Sequence, residues 1–142
     1  MKKLPFYFFL FLCLNIFAHP NTLTEKYSYE MAYLPTPLPD RVVLTWNDDP
    51  ATTQAVNWRT DVSVQEGIAQ LAIANSNGRA LEPKEFKAET TYFKSDINQA
   101  HYHSVTFKNL KPDTLYAYRV GDGEHWTEYY HFKTASSEEK PF

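Results

Sequence analysis

Apolar and polar residues alternate along much of this chain with a period of two, the spacing that sends successive side chains to opposite faces of a β-strand. In 41–46, Val42, Leu44 and Trp46 share a face, and in 54–60 Val56 and Trp58 do the same, so both segments present apolar stripes to a shared core. The segment 68–74 aligns Ala69, Leu71 and Ile73, and Asn75-Ser76-Asn77-Gly78 after it is a strong turn signal. The stretch 84–94 is less regular and predicts one or two short strands crossing the sandwich edge. Segments 101–107, 114–120 and 129–134 complete about seven strands, and no segment sustains a helical period with caps. Leu110-Lys111-Pro112-Asp113-Thr114-Leu115-Tyr116 joins a loop to a strand whose Tyr116 and Val120 share a face. That is the pattern of a tyrosine corner, where a buried Tyr hydroxyl bonds to backbone a few residues upstream as the chain crosses between two sheets. The chain is therefore expected to be all-β, a two-sheet sandwich.

With the preceding strand His101-Tyr102-His103-Ser104-Val105-Thr106-Phe107, the corner resembles the fibronectin type III-like N-terminal domain of purple acid phosphatases. Two further blocks agree with it. Pro39-Asp40-Arg41-Val42-Val43-Leu44-Thr45-Trp46, the acidic turn Asn47-Asp48-Asp49-Pro50 and Gln54-Ala55-Val56-Asn57-Trp58-Arg59-Thr60 follow that family's opening hairpin. Gly121-Asp122-Gly123, Trp126 and the strand Tyr130-His131-Phe132-Lys133-Thr134 stand where its closing strand is expected. The resemblance covers Leu38 to Thr134 and implies a fibronectin type III/immunoglobulin-like sandwich over residues 41–135. It also implies a metallophosphoesterase catalytic domain as partner in cis, with a dinuclear metal centre of iron with iron, zinc or manganese belonging to that domain alone. The metal-binding motifs of that domain, Asp-x-Gly, Gly-Asp-x-x-Tyr, Gly-Asn-His and Gly-His-x-His, are not intact in this chain. Gly121-Asp122 lacks the required Tyr, and Ala100-His101-Tyr102-His103 carries Ala in place of Gly.

The ends of the chain read differently from its middle. Lys2 and Lys3, an apolar run from Leu4 to Phe17 and then Ala18 predict a secretory signal peptide over residues 1–18, hence a secreted or periplasmic protein. The run is shorter than the roughly 20 apolar residues that span a bilayer. Cys13 is discarded with the signal, so the mature chain has no disulfide to rely on and needs a packed core. Residues 19–40 form an N-terminal arm in which Pro35, Pro37 and Pro39 favour extended geometry and Tyr27, Tyr29, Met31 and Tyr33 alternate. Residues 136–142, small and charged, read as an interdomain linker. Removal of Lys2 and Lys3 from the 14 basic residues widens the excess of 17 acidic ones, and a net negative chain without a basic cluster is not expected to bind nucleic acid or, after signal cleavage, a membrane. Its four glycines fit no phosphate-cradling loop, which excludes dinucleotide and P-loop chemistry.

The remaining candidate chemistry is a pair of histidines. His101 and His103, at i and i+2 of one strand, point the same way and in principle share a metal, with His131 on a nearby strand and His125 in the loop before it. The same parity carries Val105 and Phe107, so the pair is expected to be structural and core-facing. Asp48 with Asp49, and Glu138 with Glu139, are expected in a solvated turn and in the linker. No catalytic, cofactor-binding or metal residue is assigned, and no cofactor is expected in this chain. Two functions follow: a non-catalytic N-terminal domain of a secreted purple acid phosphatase-like enzyme, or a free-standing secreted module that binds protein or carbohydrate. The first expects an apolar docking patch, for which Tyr27, Tyr29, Met31, Tyr33, Trp126, Tyr129 and Tyr130 are the candidates.

Overall fold

The computed structural model of the protein describes residues 33–75 and 81–138. The expected signal peptide with Cys13, the arm up to residue 32, the Ser76-Asn77-Gly78 part of the turn and residues 139–142 of the linker lie outside them.

Among the described residues eight strands follow one another: β1 (Asp40–Thr45), β2 (Gln54–Thr60), β3 (Ile68–Ile73), β4 (Lys84–Lys87), β5 (Glu89–Lys94), β6 (Gln99–Phe107), β7 (Leu115–Gly121) and β8 (Tyr130–Lys133). They pair antiparallel into two four-stranded sheets, ordered β1-β2-β6-β5 and β4-β3-β7-β8. This is the two-sheet β-sandwich that the alternation and the corner call for, and the fibronectin type III-like fold that the resemblance implies. The irregular stretch 84–94 supplies two strands, one to each sheet, because the chain changes sheets at Ala88. The Ala88 N–H holds that crossing by donating to Gly67 O at 2.9 Å.

The inward faces supply the core: Val56 and Trp58 from β2, Ala69 and Leu71 from β3, Val105 and Phe107 from β6, Tyr116, Tyr118 and Val120 from β7 and Phe132 from β8. Phe107 stacks parallel on Phe132 at 6.4 Å and meets Phe86 edge-on at 5.1 Å, which ties β6 to both ends of the opposite sheet. Two residues placed by parity in the apolar stripes are not buried. Trp46 is 72% exposed because it stands beyond the end of the edge strand β1, and Ile73 is 49% exposed because it closes β3 at the mouth of the sandwich. Val42 and Leu44 do pack against the core.

The tyrosine corner is present. The Tyr116 hydroxyl accepts the Lys111 N–H at 2.8 Å, and its ring stacks on Phe132 at 5.5 Å. Asn109 and Asp113 take positive φ of 57° and 51° on either side of that bond, a conformation that these two residue types tolerate better than most. The Thr134 hydroxyl donates to Lys111 O at 2.6 Å and accepts the Thr114 N–H at 2.9 Å, closing the loop onto the last strand. Tyr116→Phe orphans a part-buried N–H and is expected to cost about 1–3 kcal/mol in a urea titration. Tyr129→Phe removes only one of the two bonds received by Gln70 Oε1, the other coming from Arg119, and is expected to cost about 0.5 kcal/mol or less. Equal losses in the two variants would refute the structural role of the corner.

Candidate functional site

His101 and His103 face the core from β6, as their parity requires, and His103 is 1% exposed. The β-sheet register sets Trp58 of β2 and Thr90 of β5 directly beside His103, and Thr60 beside His101. The Thr60 hydroxyl lies 3.0 Å from Asp61 O and 2.8 Å from His103 Nε2. Its single proton goes to the carbonyl, so Nε2–H donates to Thr60, and Nδ1 accepts from the Thr90 hydroxyl at 2.9 Å. Trp58 stacks on the imidazole at 5.2 Å. The indole N–H of Trp58 is buried without a hydrogen-bond partner among the described residues.

His101 gives its Nδ1–H to Val64 O at 2.6 Å, since a carbonyl only accepts. Both nitrogens of His103 and one of His101 are thus committed to protein partners. His131 sits on β8 of the other sheet, opposite Ala117 and exposed to solvent, so the fold does not bring it to the pair. His125 pairs instead with Asp122 at 3.1 Å, and that hydrogen bond raises its pKa. Burial pushes the Asp122 carboxyl up, but the His125 and Glu124 N–H groups and the His125 ring outweigh it and hold the pKa down. Asp49 caps its own turn, accepting from Ala51 N at 2.9 Å and from the Thr52 hydroxyl at 2.9 Å, and Asp48 is exposed beside it. Glu138 is exposed. Among the described residues no group of three or more His, Cys, Asp or Glu side chains is placed to hold a metal ion. The donor set here does not fit the dinuclear centre that the resemblance implies for the catalytic domain.

Sequence reasoning missed two polar clusters on the outer faces. On β7, Arg119 lies over the Trp126 ring at 4.4 Å and over Tyr129 at 4.9 Å, while its Nε donates to Gln70 Oε1 at 2.8 Å. Gln70 in turn donates to Glu85 at 2.8 Å. Trp126 and Tyr129 are therefore half-buried on Arg119 rather than free for docking, whereas Tyr33 and Tyr130 are exposed. On the other sheet Arg59, 3% exposed, donates from Nε to Asp40 at 2.8 Å and from Nη1 to Tyr33 O at 3.2 Å. The outward parity of Arg59 and Arg119, each next to an inward apolar residue (Trp58, Val120), is the signal that points to both.

Among the described residues, concave surfaces lie at opposite ends of the sandwich. One, of about 370 Å³, lies between the edge strands β1 and β8 and is lined by Leu44, Thr45, Trp46, Gln54, Phe132 and Lys133. The other, of about 290 Å³, lies on the outer face of the β1-β2-β6-β5 sheet, with Tyr33, Arg41, Phe93, Ile97 and Tyr102 in its walls.

The pH dependence follows from His103. Burial first, and then the neighbouring His101, lower its pKa to about 4 from the usual 6.5, so the folded protein favours the neutral ring. Its contribution is complete above pH 6.5 and is lost as pH falls from 6.5 through 4, by about 3 kcal/mol in all. Urea midpoints measured from pH 7 to pH 4 are expected to fall more steeply for the parent chain than for His103→Gln, which has no ring to protonate. Parallel slopes would mean that His103 does not carry this dependence.

Residues 39–134 match the family model of the purple acid phosphatase N-terminal domain. Among solved structures, the chain is similar to the fibronectin type III domain of human contactin 1, with 16% identity, a TM-score of 0.49 and coverage of 76% of this chain and 85% of that one. It is also similar to a computationally redesigned β-sandwich protein, with 22% identity, a TM-score of 0.45 and coverage of 70% and 96%. The family match spans both the corner and the opening hairpin on which the resemblance rests, and the chain belongs to the purple acid phosphatase N-terminal domain family.

Proposed function

We propose that this chain is the non-catalytic N-terminal domain of a secreted purple acid phosphatase-like metallophosphoesterase. On this reading, hydrolysis of phosphate esters is carried out by a catalytic domain in cis, and export uses residues 1–18 as signal peptide. The observation that carries it is the family match over residues 39–134, together with a histidine pair whose ring nitrogens are largely committed to Thr60, Thr90 and Val64. A bimetallic phosphoesterase needs a converging set of open oxygen and imidazole donors to polarise the ester and activate water. The polar side chains of this sandwich support strands and loops instead. The domain then acts on catalysis only through its placement beside the metal domain, where it shapes or shields the entrance to the active site. The second reading, a free-standing binding module, draws on the groove with Tyr33, Phe93, Ile97 and Tyr102, whose aromatic walls would suit a protein or carbohydrate.

The purified chain is expected to hydrolyse a chromogenic phosphomonoester no faster than buffer from pH 4 to 8, with or without added iron, zinc or manganese. Metal-dependent turnover that survives purification and vanishes in a His101→Ala, His103→Ala double variant would overturn the non-catalytic assignment.

A further inference from the structure

The described chain leaves the sandwich at a defined place. The Ala135 N–H donates to Pro50 O at 3.0 Å, and Ala135 O accepts the Asp113 N–H at 2.9 Å, so the exit is bonded into both the β1–β2 turn and the β6–β7 loop. At the same pole β1 ends, β2 begins and β3 ends, as the pairings Thr45↔Ala55, Gln54↔Phe107 and Ile73↔Tyr116 show. Three large apolar side chains stand exposed there: Trp46, Ile73 and Leu115. Trp46 also forms one wall of the groove between β1 and β8, which opens onto Phe132 of the core. Both flanking strands are sheet edges, with no further strand beside them among the described residues. The other groove lies toward the far end of β6, a strand of nine residues and hence about 30 Å long.

We propose that the exit pole is the docking surface for the metallophosphoesterase domain in cis, with Trp46 as the central contact and an apolar side chain of that domain seated in the β1–β8 groove. The inference rests on the reading of the chain as the N-terminal domain of such an enzyme. The tether selects this pole over the other: a partner joined to a chain that leaves from this pole meets the nearest surface at high effective concentration. Trp is also the residue type that most often dominates an interface when it packs into a partner's pocket. Charge within the groove is already matched, because Lys133 pairs with Asp113 at 2.6 Å, and the partner therefore needs an aliphatic or aromatic anchor rather than a carboxylate.

The test adds the metallophosphoesterase domain of a purple acid phosphatase in trans to the full chain and measures affinity by titration calorimetry and association by sedimentation. Trp46→Ala and Leu115→Ser are expected to weaken binding at least tenfold, while Phe93→Ser and Ile97→Ser at the far groove change it less than twofold. Because all four side chains are exposed, unchanged urea midpoints certify that the variants fold. Tight binding that ignores Trp46 and is lost in the far-groove variants overturns the docking pole and leaves the proposed function standing. No binding by the parent chain overturns the proposed function and the pole together. A chain that dimerises through Trp46 and is not dissociated by the added domain identifies a second copy as the occupant and also refutes the proposal.

Discussion

A neutral imidazole fastens this sandwich together. His103 sits in the middle of the β1-β2-β6-β5 sheet, donates to the Thr60 hydroxyl of β2, accepts from the Thr90 hydroxyl of β5 and carries Trp58 on its face. The backbone just before β3 closes over this layer so tightly that a Cβ on Gly67 would lie 2.6 Å from His103 Nδ1 and 2.7 Å from Trp58 Cζ2. Only glycine permits that approach. The carbonyl of the same residue accepts the Ala88 N–H, so the contact that brings the two sheets together also fixes the point where the chain passes from β4 to β5. A buried polar group of this kind stabilises only when all its partners are in place, and here the threonine hydroxyls complete it.

That constraint separates what was legible in the sequence from what was not. Alternation gave the core strands and their inward residues, because the side-chain period of a strand is a local property. It also gave the corner, since Lys111 and Tyr116 are five residues apart. It did not reveal the partners of His103, which come from β2 and β5 and meet it only through register. Nor did it separate β4 from β5: the two strands serve different sheets, β5 is an exposed edge, and the apolar pattern across 84–94 is broken at the crossing. Trp46 and Ile73 show the limit of parity. It assigns a side, but at the ends of a sandwich no opposing layer stands on that side.

The aromatics of the 121–130 loop show a different limit. Trp126 and Tyr129 read as free apolar surface until the bridge of Trp126 to Gly121 turns the loop back over β7. A Cβ on Gly121 would lie 2.1 Å from His125 O, so the loop depends on a bare backbone at that position. Once it is folded back, the guanidinium of Arg119 is the nearest surface, and the rings cover it through the attraction of a cation for an aromatic face. Long outward side chains of this kind cover apolar surface with their stems while keeping a polar end, so an arginine in mid-strand is as much a packing residue as a charge.

The two outer faces share this device and differ in sequence. Arg119 with Gln70 and Glu85 occupies the middle of one sheet, and Arg59 with Asp40 and the Tyr33 carbonyl anchors the start of β1 on the other. The fold therefore meets its own burial requirement across its faces with polar networks, without using Trp46, Leu115, Phe93 or Ile97, which remain at the two poles. Scattered exposed apolar residues are ordinary on a protein surface, but their concentration beside concave surfaces is not required by folding. Of the two poles, only one is also where hydrogen bonds to Pro50 and Asp113 hold the outgoing chain, so at that pole the course of the chain through Ala135 is set by the sandwich itself.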